Sequence, residues 1–124
     1  MFDLFINYDG EIEEIAEEIS ELLGIRLEKQ VNGFDEDYYM FRAFEIEFVL
    51  YADHGMEDDC GIAFSEYNYQ MQMLKLRSGE RYKSYDDIYK SMAEFLTEKI
   101  SLELSSSVML VDNLSRIILA SRSV

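Results

Sequence analysis

The stretch that constrains this chain most is EIEEIAEEISELL, residues 11–23. Wound at 3.6 residues per turn, it separates completely: Ile12, Ile15, Ala16, Ile19, Leu22 and Leu23 take one arc, and Glu11, Glu13, Glu14, Glu17, Glu18 and Glu21 take the other. Such a helix gains little stability alone and has to lay its single apolar arc on a packed layer. Asp9 or Gly10 can open it, since a short acceptor side chain there satisfies the orphan amides, and Gly24 closes it.

The rest of the chain supplies that layer as extended segments. FDLFINY (2–8) alternates as a strand, IRLEKQV holds a short one, and the loop NGFDED leads into YYMFRA. In FEIEFVLY the residues Phe44, Ile46, Phe48 and Leu50 alternate with Glu45 and Glu47, a half-buried strand with Phe44 on its inner face. The run GIAFSEYNYQMQMLKL is extended, but its alternation slips near Glu66, which predicts a bulge or break. Within it Met71 and Met73 suit the core, and Tyr67 and Tyr69 are open between core and contact surface. Ser84 with Asp87 resembles a capping box, and the helix it opens, over 85–103, carries Tyr85, Ile88, Tyr89, Met92, Phe95, Leu96 and Ile100 on one stripe. After SSS, the segments VMLV and RIILAS flank DNLS as a closing hairpin.

This order predicts one α+β domain spanning 1–124: a mainly antiparallel sheet of about five to seven strands, with two amphipathic helices packed on one face. With 48% hydrophobic residues, 8 Phe, 9 Tyr and no Pro, the chain can fill a core despite a net charge of −15. MFDLFINYDGE lacks the cationic start and small-residue cleavage site of a signal peptide, and no apolar run approaches about 18 residues, so the expected location is the cytoplasm. A single cysteine forms no internal disulfide and fits a reducing compartment.

The charge is segregated. Residues 1–60 carry 18 acids against three bases, Arg26, Lys29 and Arg42, whereas residues 61–124 balance eight against eight. The resulting field repels nucleic acid and anionic membranes and draws in a basic partner.

The residue types of metal and nucleophile chemistry meet only in YADHGMEDDC, residues 51–60, which holds His54 and Cys60. One histidine makes no two-histidine metal motif, and the carboxylates around Cys60 raise a thiol pKa where a nucleophile needs it lowered. DHGMEDD has oxygen ligands for calcium but not the D-x-[DN]-x-[DN]-G spacing or the distal glutamate of a calcium loop. No phosphate-binding glycine loop and no G-x-S-x-G occurs. The expectation is therefore no catalytic residues, no metal and no cofactor, with the decapeptide an acidic connection. Candidate contact residues are Glu14, Glu17, Glu18 and Glu21 on the helix, Asp35, Glu36, Asp37 and Tyr38 in FDEDYY, and Glu57, Asp58 and Asp59 in HGMEDD. On the helix no Lys or Arg is interleaved at i+4, so the repulsion among its glutamates has no local compensation.

Through EIEEIAEEISELL, FDEDYY and HGMEDD, this small acidic α+β chain resembles the immunity proteins of bacterial toxin systems, including those of contact-dependent growth inhibition. The resemblance implies a non-enzymatic inhibitor that binds and neutralises one cognate toxin domain, basic and of nuclease type, in the cytoplasm. Two alternatives stay open: a nucleic-acid mimic that blocks a DNA-binding enzyme, and a small metal-binding or enzymatic domain centred on His54 and Cys60.

Overall fold

The computed structural model describes residues 2–31, 37–52, 55, 57–58, 61–76, 85–112 and 115–120, with Asp37 and 115–120 by their backbone. The elements are β1 (Phe2–Asn7), α1 (Ile12–Leu23), β2 (Glu28–Val31), β3 (Asp37–Ala43), β4 (Ile46–Ala52), a 3₁₀ turn (Phe64–Glu66), β5 (Tyr69–Lys75), α2 (Tyr85–Leu104), β6 (Ser107–Asp112) and β7 (Ser115–Ala120). The seven strands form one sheet in the order β2-β3-β4-β5-β1-β6-β7, with every neighbouring pair antiparallel. The predicted α+β class, its antiparallel sheet and its two packed helices are those observed.

The strand directions explain why both helices share a face. Four antiparallel steps separate β1 from β2 and two separate β5 from β6, so α1 and α2 each connect parallel strands, where a right-handed crossover is strongly preferred. The two crossovers run in opposite directions across the sheet from strands of opposite sense. A half-turn about the sheet normal relates them, which leaves both helices on the same side.

On that side lies the main core. Leu50, Met71, Leu4 and Leu110 form a continuous row across β4, β5, β1 and β6, all fully buried, and Ile15, Ala16 and Ile19 of α1 with Tyr89, Ala93, Leu96 and Ile100 of α2 cover it. The opposite face carries a smaller core over β1 and β6. There Phe5, Met109 and Val111 meet Ile62, Phe64 and Tyr67, with the Phe5 and Phe64 rings 4.8 Å apart. The predicted break near Glu66 is the 3₁₀ turn, which lets residues 62–67 fold onto this second face before β5 begins. Tyr67 and Tyr69 are both buried, so neither belongs to a contact surface.

Three local expectations are corrected. The residue at the N-cap of α1 is Glu11, not Asp9 or Gly10; Glu14 returns its carboxylate to the Glu11 amide at 3.2 Å. Gly10 instead makes room, since a Cβ there would lie 2.6 Å from the Tyr8 ring. Phe44 does not point into the core. It occupies, with Glu45, the two-residue turn between β3 and β4, and both have positive φ (53° and 60°). On α2 the buried arc is Tyr89, Ala93, Leu96, Thr97, Ile100 and Ser101, whereas Tyr85, Ile88 and Phe95 are exposed. The small residues Ala93, Thr97 and Ser101 bring the helix axis close to the sheet, with the Thr97 hydroxyl donating to the Ala93 carbonyl (2.8 Å) and the Ser101 hydroxyl to the Ser106 carbonyl (2.6 Å). Gly24 closes α1 as expected: in left-handed conformation (φ 66°), it lets its own amide and that of Ile25 bond back to Glu21 and Ser20. The expected capping residue Ser84 lies outside the described residues.

Candidate binding surface

α1 is fixed from below. Ile15, Ala16 and Ile19 are buried, Ile12, Leu22 and Leu23 pack at the margins, and the Ser20 hydroxyl accepts from the Leu27 amide (3.1 Å) while donating to the Ala16 carbonyl (2.7 Å). What faces outward is carboxylate: Glu11, Glu13, Glu14, Glu17, Glu18 and Glu21 are all exposed. Among the described residues the ion pairs are Arg42–Glu47 (3.0 Å), Lys75–Asp86 and Lys99–Glu103 (3.2 Å), and none reaches α1.

These glutamates are not equivalent. Glu14 caps the helix start, where the amide-rich end also favours its charge. Glu18 accepts a hydrogen bond from Tyr8, whose hydroxyl is pushed up to about 12 by burial first, then by this bond and by the charges of Glu18 and Glu14. Beside it, burial raises the Tyr69 pKa, with Glu11, Glu13 and Glu14 adding to the shift; its hydroxyl donates to the Gly10 carbonyl at 2.5 Å. Glu17 and Glu21 have no such internal role. Glu21 also sits in the last turn of α1, where the helix dipole opposes a negative charge.

The other candidate residues do not join this face. Tyr39 is buried under the helices, so Tyr38 points to the opposite side of the sheet, where it pairs across strands with Tyr51. The Asp37 backbone pairs with Val31 at the β2 edge. Glu57 and Asp58 are exposed, and the Asp58 carboxylate accepts from the Ser65 amide at 2.8 Å, which lowers its pKa and ties it to the segment crossing the second face. Asp35, Glu36 and Asp59 lie outside the described residues, as do His54 and Cys60. Thus Glu14, Glu17, Glu18 and Glu21 share one surface, whereas Tyr38 and Asp58 attach to the far side.

Sequence reasoning missed two features. One is a polar strip on the far side of the sheet. There Asp3, only 9% exposed, accepts from the Gln70 side-chain amide (2.9 Å), and the Tyr51 hydroxyl is pushed up to about 12 by burial and by the Asp3 charge, with Gln72 opposing. The other is an apolar cavity beside the Phe44–Glu45 turn. Among the described residues no cluster of three His, Cys, Asp or Glu could hold a metal ion, and no helix is long and apolar enough to cross a membrane. Compared with known proteins, the chain matches no family model, no curated protein and no solved structure.

Proposed function

We propose that this chain is an immunity protein, a non-enzymatic inhibitor that binds and neutralises a basic, nuclease-type toxin domain in the cytoplasm. The observation that carries this reading is the exposed glutamate face of α1, which has no described cation on it and is held rigid by a buried apolar arc. Twelve helical residues span about 18 Å, comparable to the row of phosphates a nuclease must engage. Ordered carboxylates on such a row compete for the cations that the substrate needs, and they speed encounter by steering.

The test is to express the protein encoded beside this chain, measure growth arrest, and ask whether co-expression of this chain relieves it. Relief should come with a direct complex whose association slows markedly between 0.1 and 1 M NaCl, as the screening length falls from about 10 Å to about 3 Å. Substituting His54 and Cys60 by Ala should leave relief within a few fold. A complex whose on-rate ignores salt, or relief lost with His54 and Cys60 in a folded variant, would overturn the reading.

A further inference from the structure

A cavity of about 360 Å³ opens on the helix side of the sheet, walled by Phe44 and Glu45 of the β3–β4 turn, by Ile46 and Lys75 from β4 and β5, and by Tyr85, Ile88, Tyr89 and Met92 from α2. Its walls are almost wholly apolar, and its volume lies at the lower end of the range for small-ligand sites, enough to take one large side chain. It does not stand alone. Residues 85, 88, 92, 95, 99 and 102 recur at alternating spacings of three and four along one flank of α2, and on this flank Ile88, Phe95 and Leu102 are 57%, 58% and 67% exposed. The 17 steps from Tyr85 to Leu102 run about 26 Å, a flank apolar at every one of these positions but Lys99, and such a length marks an interaction surface.

The turn at the mouth points the same way. A two-residue connection with both φ positive is made readily by Asn-Gly, but here Phe44 and Glu45 occupy it. Phe44 bears two penalties at once: left-handed backbone strain, and a phenyl ring 77% exposed. Strain retained where it presents an apolar side chain beside an apolar cavity is the signature of a contact site.

Charge identifies the occupant. Asp86 and Asp87 open α2, and Glu98 and Glu103 flank its apolar line. The described cations near them are Lys75, Lys90 and Lys99; Lys75 and Lys99 are paired with Asp86 and Glu103, and with Glu94 the acids of α2 outnumber its bases five to two. The glutamates of α1 lie on the same side of the sheet. A second copy of this chain would bring another −15 charges to a surface that is already acidic. We infer that the cavity is the anchor point of the partner interface: it receives an aromatic or large aliphatic side chain that projects from a cationic protein surface. The inference rests on the acidic-surface reading proposed above and adds to it the apolar residue the partner must offer.

The test uses short synthetic peptides on the intact chain: one of Lys and Arg with a single central Trp, the same with Ala at the centre, and one of Ser with the central Trp. The cationic Trp peptide should bind about tenfold more tightly than the cationic Ala peptide, the gain of one buried aromatic anchor. Ile88→Asp, at an exposed position, should abolish that difference and leave binding of the Ala peptide intact. Phe44→Gly should raise the melting temperature by relieving the turn, yet lose the preference for Trp. Equal binding of the two cationic peptides would overturn the anchor while sparing the acidic surface, whereas failure of both cationic peptides would sink the two readings together. A neutral Trp peptide that binds as well as the cationic one would refute the charged occupant. So would a dimer, seen in sedimentation, that Ile88→Asp dissociates, and a Phe44→Gly chain that keeps its Trp preference would remove the turn from the site.

Discussion

At Asp3 the fold holds a carboxyl group out of water between β1 and β5, with Gln70 as its donor. Burial raises its pKa above the ordinary 3.8, Asp112 adds to the rise, and the Gln70 bond opposes it. Well below pH 3.8 the group is neutral whether the chain is folded or not. As pH climbs past that value the unfolded chain ionises first, so stability falls until the raised folded value is passed. Asn keeps an acceptor for Gln70 and has no proton to lose. Asp3→Asn should therefore melt a few degrees higher than the parent at neutral pH, with the gap closing in acid; parallel melts at the two pH values decide it, and a lower melt at neutral pH would mean the carboxylate stabilises. Phe64 illustrates a different kind of residue. It is fully buried against Phe5 on the far face, and Phe64→Ala should cost about 3–5 kcal/mol in urea unfolding. That role was hard to read from the sequence, because alternation in FSEYNY says where a strand breaks but not that the broken segment doubles back over β1 and β6.

α1 was the most legible element, since its two arcs admit one arrangement only, yet periodicity alone gave all six glutamates the same standing. The bonds Glu14 makes to the Glu11 amide and Glu18 to Tyr8 separate them. Glu14→Ala and Glu18→Ala should each lower stability by about 0.5–1.5 kcal/mol, the cost of a lost cap or an orphaned hydroxyl. Glu17→Lys and Glu21→Lys should leave it unchanged or raise it by a few tenths, because Lys at 17 sits between Glu13 and Glu21 at four-residue spacing and Lys at 21, in the last turn, suits the dipole. Melting temperatures of the four single variants check the order, and only the second pair then serves as a clean probe of binding. The β3–β4 hairpin was illegible for the opposite reason: Phe44 and Glu45 carry none of the Asn or Gly chemistry that announces a tight turn, so the alternation ran through them uninterrupted. In α2 the apolar residues outnumber those one sheet contact can cover, and Ala93, Thr97 and Ser101, not the largest side chains, mark the line of contact.

For the molecule as a whole, the class of fold followed from the order of helices and strands, but the order of strands within the sheet did not. Nothing in FDLFIN states that its neighbours are residues 69–75 and 107–112. The assembled sheet leaves a measurable mark at alkaline pH. Tyr8 and Tyr51 are pushed up to about 12, and Tyr69 and Tyr89 are raised above their ordinary 10.0, burial leading in each case. Tyr89 is locked by donating to the Met73 carbonyl while accepting from the Phe2 amide (3.2 Å). The fold thus favours the protonated phenols, a stabilisation intact below pH 10 and withdrawn as pH rises toward 12. The tyrosinate absorbance of these four of the nine tyrosines should climb in a steep step together with loss of far-ultraviolet circular dichroism; ionisation of all nine near pH 10 with the fold intact would contradict these hydroxyl contacts. The position of β1 has one more consequence, for how the protein is made. A ribosome delivers β1 before the other strands of this sheet, but its two partners begin only at Tyr69 and Ser107. Phe2, Leu4 and Ile6 must wait beside the glutamates of α1, whose mutual repulsion keeps nascent chains apart, until residues more than 100 positions downstream arrive to close the sheet.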